Sequence, residues 1–132
     1  VTLRSTIYAR LAAHVGTAAL VETRIYPNQL PENVTYPAVT YVAPVSDDDV
    51  EYRTHDTGQV PRSVARVQFN CYDTTGDGAT ALADQVVAAW SGYQDGCTVG
   101  YSFKANRISD GWQSGIAAYR EIVDVMLEYA VI

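Results

Sequence analysis

Residues 63–90 organise the rest of the chain. Across Val64–Tyr72, Ala65, Val67, Phe69 and Cys71 share one parity while Arg66, Gln68 and Asn70 share the other. That is the two-residue period of a strand with one buried side. Asp73-Thr74-Thr75-Gly76-Asp77-Gly78 then gathers turn formers and N-cap residues. Beyond it the period changes. Ala79, Leu82, Ala83, Val86, Ala89 and Trp90 recur at helical spacing, with Thr80, Asp84, Gln85 and Ser91 on other faces. Strand, turn and helix make one unit of an α+β domain, and Leu82, Val86 and Trp90 are expected to enter its core.

The reading extends in both directions. Leu3, Ile7, Leu11 and Val15 recur every four residues and predict a first helix, with Thr2 as its N-cap and Gly16 as its stop. Tyr8, Ala12 and Ala19 would broaden its apolar face, and Thr17–Val21 would add a short further turn. Arg24-Ile25-Tyr26 is a brief extended piece closed by Pro27, and residues 28–36 are loop, with Pro37 biasing Tyr36 away from helix. Ala38–Val45 predicts a strand with Val39, Tyr41, Ala43 and Val45 on one side. Ser46–Val60 shows little apolar periodicity. It reads as a hairpin connection of roughly fifteen residues, against the usual two to five, in which residues 50–54 can extend the strands as a ribbon.

After a turn at Gly92–Gly96, Thr98–Asn106 alternates with Val99, Tyr101, Phe103 and Ala105 on one side. Ser109-Asp110-Gly111 predicts a turn, and Ile116–Val131 a long final strand. In it Tyr119, Val123, Val125, Leu127, Tyr129 and Val131 face inward, Glu121 interrupts them, and Ile122 and Met126 lie on the polar side, which implies some cover there. The expected architecture is α+β: a mostly antiparallel sheet of about four to five strands, two main helices on one face, and a long hairpin loop between the second and third strands.

Composition sets bounds on this picture. A chain of 132 residues with 48% hydrophobic content suits a single domain over residues 1–132 with one core. Ten tyrosines offer amphipathic contact area of the kind enriched at protein interfaces. A net charge of −6 argues against a surface that grips nucleic acid, because phosphate neutralisation needs clustered Lys and Arg. No apolar run approaches the roughly twenty residues of a membrane span, and no basic segment leads into an apolar core as in an export signal. Synthesis in the cytoplasm is the resulting expectation, with Val1 a GTG start read literally. Cys71 shares the inward parity of Val67 and Phe69 and reads as a small buried hydrophobe, while Cys97 completes no Cys-x-x-Cys pattern. A disulfide between them would need neighbouring strands, and a cytoplasmic origin disfavours it.

Candidate chemistry is sparse. Asp47, Asp48 and Asp49 with His55 and Asp56 lack the central Gly and terminal bidentate acid of a calcium loop, so they read as a solvated acidic segment. His14 reads as a surface or capping residue, and with His55 as the only other histidine no three-histidine metal site can form. Gly76-Asp77-Gly78 precedes a helix, but no Lys-Ser/Thr follows and an acid stands where an anion would dock. No Gly-x-Ser-x-Gly is present. No catalytic, cofactor-binding or metal-binding residue is assigned. A small ligand-binding or enzymatic α+β domain, with a pocket between helix and sheet, stays open as the alternative.

Arg24-Ile25-Tyr26-Pro27, Leu30-Pro31 and Tyr36-Pro37-Ala38-Val39-Thr40-Tyr41, followed by Ala65–Thr74 and the Ala79–Trp90 helix, together resemble the tail-completion or tail-terminator proteins of long-tailed phages and phage-like gene transfer agents. With the leading helix, the likeness spans roughly the first 90 residues, and order and spacing of several blocks carry it. The resemblance implies a non-enzymatic virion protein, made in the bacterial cytoplasm and located in the tail or neck. It implies a ring, usually of six copies, that terminates the tail tube and joins it to the head-completion or connector protein. DNA would pass through without specific binding, and no membrane or cofactor is involved. Ser46–Val60 matches no motif of that family. On the residues alone, the self- or partner-binding positions are expected at Asp47, Asp48, Asp49, Glu51, Tyr52, Arg53 and His55, together with an exposed sheet edge.

Overall fold

The computed structural model describes residues 3–50, 62–94 and 99–130. Its elements are α1 (Leu3–Ala13), α2 (Val15–Val21), β1 (Ile25–Pro27), β2 (Ala38–Val50), β3 (Arg62–Asp73), α3 (Gly76–Trp90), β4 (Val99–Gln113) and β5 (Ala118–Ala130). The strands form one five-stranded sheet in the order β1-β2-β3-β5-β4. β1 runs parallel to β2, and every other pairing is antiparallel. This is the expected α+β architecture, with the helices packed on one face.

The central strand is β3, whose alternation was plain in the sequence. Ala65, Val67, Phe69 and Cys71 are buried, and the register aligns Val67 with Val125 and Phe69 with Val123 on β5. On the other side Tyr41 aligns with Phe69 and Val39 with Cys71. α3 lies over these rows and buries Leu82, Val86 and Trp90 completely. The Trp90 ring stacks on Phe69 at 5.9 Å and meets Tyr93 edge-on at 5.5 Å. Each fully buried side chain of this size stabilises the fold by about 1.5–3 kcal/mol. Thr75 caps α3, its Oγ1 accepting from the Gly78 amide at 3.0 Å, so the turn cluster at residues 73–78 acts as a cap. Cys71 is a free, buried thiol among the described residues, and Cys97 lies outside them.

The first helical segment departs from its expected limits. α1 ends at Ala13, and His14 starts α2 as its N-cap, its Nδ1 accepting from the Thr17 amide at 3.2 Å. Gly16 therefore lies inside α2 and stops nothing. The break at His14 resets the helical phase: Ile7 and Leu11 are fully buried, whereas Val15 is 83% exposed. Tyr8, Ala12 and Ala19 are exposed and do not widen the apolar face. Thr2 lies outside the described residues.

Three strand limits also move. β2 continues through Ser46–Val50, so that stretch is ladder where a loop was expected, with residues 51–61 left between β2 and β3. The segment at Ser109-Asp110-Gly111 makes no turn. β4 runs through it with a register shift between Ser109 and Gly111, and Gly111 has φ +76°. A glycine in the left-handed region lets an antiparallel strand absorb one extra residue as a bulge. The chain reverses instead at residues 114–117. β5 begins at Ala118, two residues later than expected.

Candidate functional site

The expected acidic positions are built into a strand. Asp47 aligns with Ala65, Asp48 with Val64 and Asp49 with Ser63. The cross-strand ladder outweighs the low strand propensity of aspartate, which is a context-dependent preference. Glu51, Tyr52, Arg53 and His55 lie outside the described residues. On the outer side of β2, β1 covers only Val39–Tyr41. Among the described residues no strand pairs with that rim from Val42 to Val50. Arg4 of α1 donates through Nε to the Ala43 carbonyl at 3.1 Å, and the register to β3 breaks between Val42 and Ser46.

The opposite rim is β4, an edge strand of 15 residues. The sequence pattern grouped Tyr101 and Phe103 with Val99. A register shift between Val99 and Tyr101 separates them. Val99 is buried on the helix side, while Tyr101 aligns with Glu128 and Phe103 with Met126. Tyr101, Phe103 and Ile108 are 41%, 48% and 46% exposed. Tyr101 and Phe103 stack with centroids 6.1 Å apart. Ile122 and Met126 of β5, which the sequence placed on the polar side, are half-buried beside this row. The pattern alone missed this surface because a bulge inverts parity without any mark beyond the intervening Gly100.

β4 is fastened to the helix layer by polar contacts. Arg107 donates from Nε to Glu121 Oε1 at 3.1 Å, from Nη1 to Asp84 Oδ1 at 2.5 Å and from Nη2 to the Thr80 carbonyl at 3.1 Å. Burial acts to lower the Arg107 pKa, but hydrogen bonds and charge from Asp84 and Glu121 outweigh it, and the guanidinium is held more firmly protonated. The buried Ser102 hydroxyl donates to the Trp90 carbonyl at 2.6 Å. Glu121, the acid on the inward parity, is thus the inner anchor of a clamp. Among the described residues its Oε2 is buried without a hydrogen-bond partner. Burial first and the nearby Glu121 second push the Cys71 thiol far up, so it stays protonated and is no nucleophile.

Two shallow clefts lie at the end of the sheet away from the acidic triplet. One, of about 570 Å³, is lined by residues 30–34, Tyr36 and residues 114–117. The other, of about 360 Å³, shares Leu30, Gly115 and Ile116 with it and reaches Tyr72 and Arg120. The Tyr36 hydroxyl crosses to the Ile116 carbonyl at 2.8 Å, and Arg120 Nε holds Asp110 at 2.6 Å. Burial, and then Tyr72, raise the Tyr36 pKa. Neither cleft lies between helix and sheet, where Phe69, Leu82 and Trp90 fill the space. Among the described residues, no three His, Cys, Asp or Glu side chains converge on a common point, and no helix is long and apolar enough to cross a membrane.

A family model described as tail completion protein gp17 matches residues 5–110. Among solved structures, a chain from the virion of a native gene transfer agent particle has the same fold, with a TM-score of 0.75 at 17% identity. That alignment covers 98% of this chain and 95% of the other. No curated protein matches by sequence.

Proposed function

The chain belongs to the gp17 family of tail completion proteins, and from that membership we propose how it works: as one subunit of a ring that closes the tail tube and receives the head. It is a structural, non-enzymatic virion protein of the tail and neck. The match of the family over residues 5–110, from α1 into β4, carries this reading. Six copies complete the ring, one face meeting the tube protein and the other the head-completion or connector protein.

The geometry supports such a role through rigidity and open rims. A sheet filled on one face by three helices is a stiff unit, and unpaired sheet edges invite pairing with another chain. With −6 charges per copy, six copies surround the channel with a negative field that repels DNA and lets it slide. The positions expected to make contacts are Asp47, Asp48 and Asp49 on β2, continuing into Glu51, Tyr52, Arg53 and His55. Replacing Tyr52 and Arg53 together by Ala is expected to weaken assembly while leaving the thermal unfolding of the isolated chain unchanged. A fully competent double variant removes those two residues from the interface.

Deleting the gene from a producing cell tests the whole reading. Electron microscopy is expected to show heads and tails that fail to join, and labelled protein restored in trans should sit at the junction. Particles of normal form and infectivity, or gene-transfer activity, without the chain would overturn it.

A further inference from the structure

The two outer rims of the sheet match one another, and we propose that they form the joint between neighbouring copies: β4 of one subunit adds to the Ser46–Val50 end of β2 in the next. The inference rests on the ring reading and specifies the contact that makes the ring.

Three structural facts carry it. First, the rims stand at the same level. Tyr101 aligns with Glu128, Glu128 with Val64, and Val64 with Asp48. The next rows run from Ser102 through Leu127 and Ala65 to Asp47, and from Phe103 through Met126 and Arg66 to Ser46. Second, the directions agree. Three successive antiparallel pairings separate β2 from β4, so β4 runs antiparallel to β2. A second copy placed by rotation alone, with no slip along the strands, therefore presents β2 to β4 in antiparallel register with Tyr101 opposite Asp48. Head-to-tail contacts that repeat by pure rotation close into rings, whereas contacts with a translation grow filaments.

Third, the rims are chemically complementary. Lys104, the single lysine of the chain, is exposed on β4 and in this register lies one diagonal step from Asp47 of the next copy, close enough for a favourable cross-strand pair. Two β2 rims would instead bring three aspartates against three. The exposed row of Tyr101 and Phe103 would gain cover from the added strand, which removes an apolar edge that soluble proteins otherwise protect. Pro44 has no N–H to offer a ladder, and the Ala43 oxygen is already taken by Arg4. These two features confine the joint to the residues beyond them, and on β4 the Ser102 carbonyl, which already accepts from the Gly92 amide at 3.0 Å, leaves the ladder to the groups on either side of it.

Disulfide trapping tests the register. A chain carrying both Tyr101→Cys and Asp48→Cys, with Cys97→Ser and the buried Cys71 left in place, is oxidised in solution and in assembled particles and run on non-reducing gels. The joint predicts a ladder of covalent oligomers that ends in a closed ring, with neither single variant cross-linking by itself. Dimers from Tyr101→Cys alone would replace the joint by a symmetric β4–β4 contact. Association without any cross-link would overturn the joint and leave the ring reading standing, whereas a chain monomeric in both settings would remove both. Charge exchange gives a second readout. Lys104→Glu and Asp47→Lys are each expected to weaken association about fivefold per joint, and the combination to restore most of it. A combination that weakens association additively would overturn the pairing.

Discussion

Arg107 holds three places together with three nitrogens, and the deepest is Glu121. The Glu121 side chain is buried while Asp84 is largely exposed, so the inner contact outweighs the outer, solvent-screened one. Arg107→Met leaves a buried carboxylate unpaired and is expected to cost about 2 kcal/mol, read as a lower urea midpoint at unchanged slope. Arg107→Met with Glu121→Leu should recover more than half of that, since a hydrophobic replacement of both partners removes the orphaned charge. Cys71 makes a separate prediction in pH. Its folded-state pKa is raised, so its contribution is intact below the ordinary thiol value. Above about pH 9 the unfolded chain loses a proton that the folded chain keeps, and stability falls by about 1.4 kcal/mol per pH unit. Cys71→Ala should flatten that slope in unfolding curves measured from pH 8 to 10.

At the level of elements, the caps carry the local energetics. Thr75→Ala removes the acceptor for the Gly78 amide and should destabilise by about 1 kcal/mol. His14 caps α2 as a neutral acceptor, and burial first, then Arg10, lower its pKa. Below the ordinary histidine pKa the unfolded chain takes up a proton that the folded cap resists, so stability declines as the pH falls. His14→Asn should keep the cap and lose that dependence in melts compared at pH 5 and pH 7. β3 and α3 were legible in the sequence because each keeps one period over its whole length against a single covering layer. β4 was not, because Ser109-Asp110-Gly111 has the composition of a turn and only pairing with β5 decides for a bulge. The acidic end of β2 was hidden for a related reason: its strand state comes from the ladder to Arg62–Arg66, a long-range partner that local composition does not encode. Within α1, the phase read through Leu11 to Val15 failed at one residue, His14, where the helix ends and restarts. The proposed contact positions differ in how far the sequence marks them. Composition marked Asp47–Asp49, while Tyr101, Phe103 and Lys104 emerged only from the strand order.

For the whole molecule, core and rim are separable. Phe103→Glu alters an exposed rim position and should shift the stability of the isolated chain by less than about 0.5 kcal/mol. It should nevertheless abolish oligomers in sedimentation. A variant that unfolds instead would show that the rim belongs to the core. The clamp from Arg107 to α3, with Ser102 tied to the Trp90 carbonyl, has a mechanical consequence. A pull on β4 is borne in parallel by its ladder to β5 and by these rivets to the helix layer. Peeling the strand from its end would therefore have to shear both at once, and tension between neighbours would spread through each body before any seam opened.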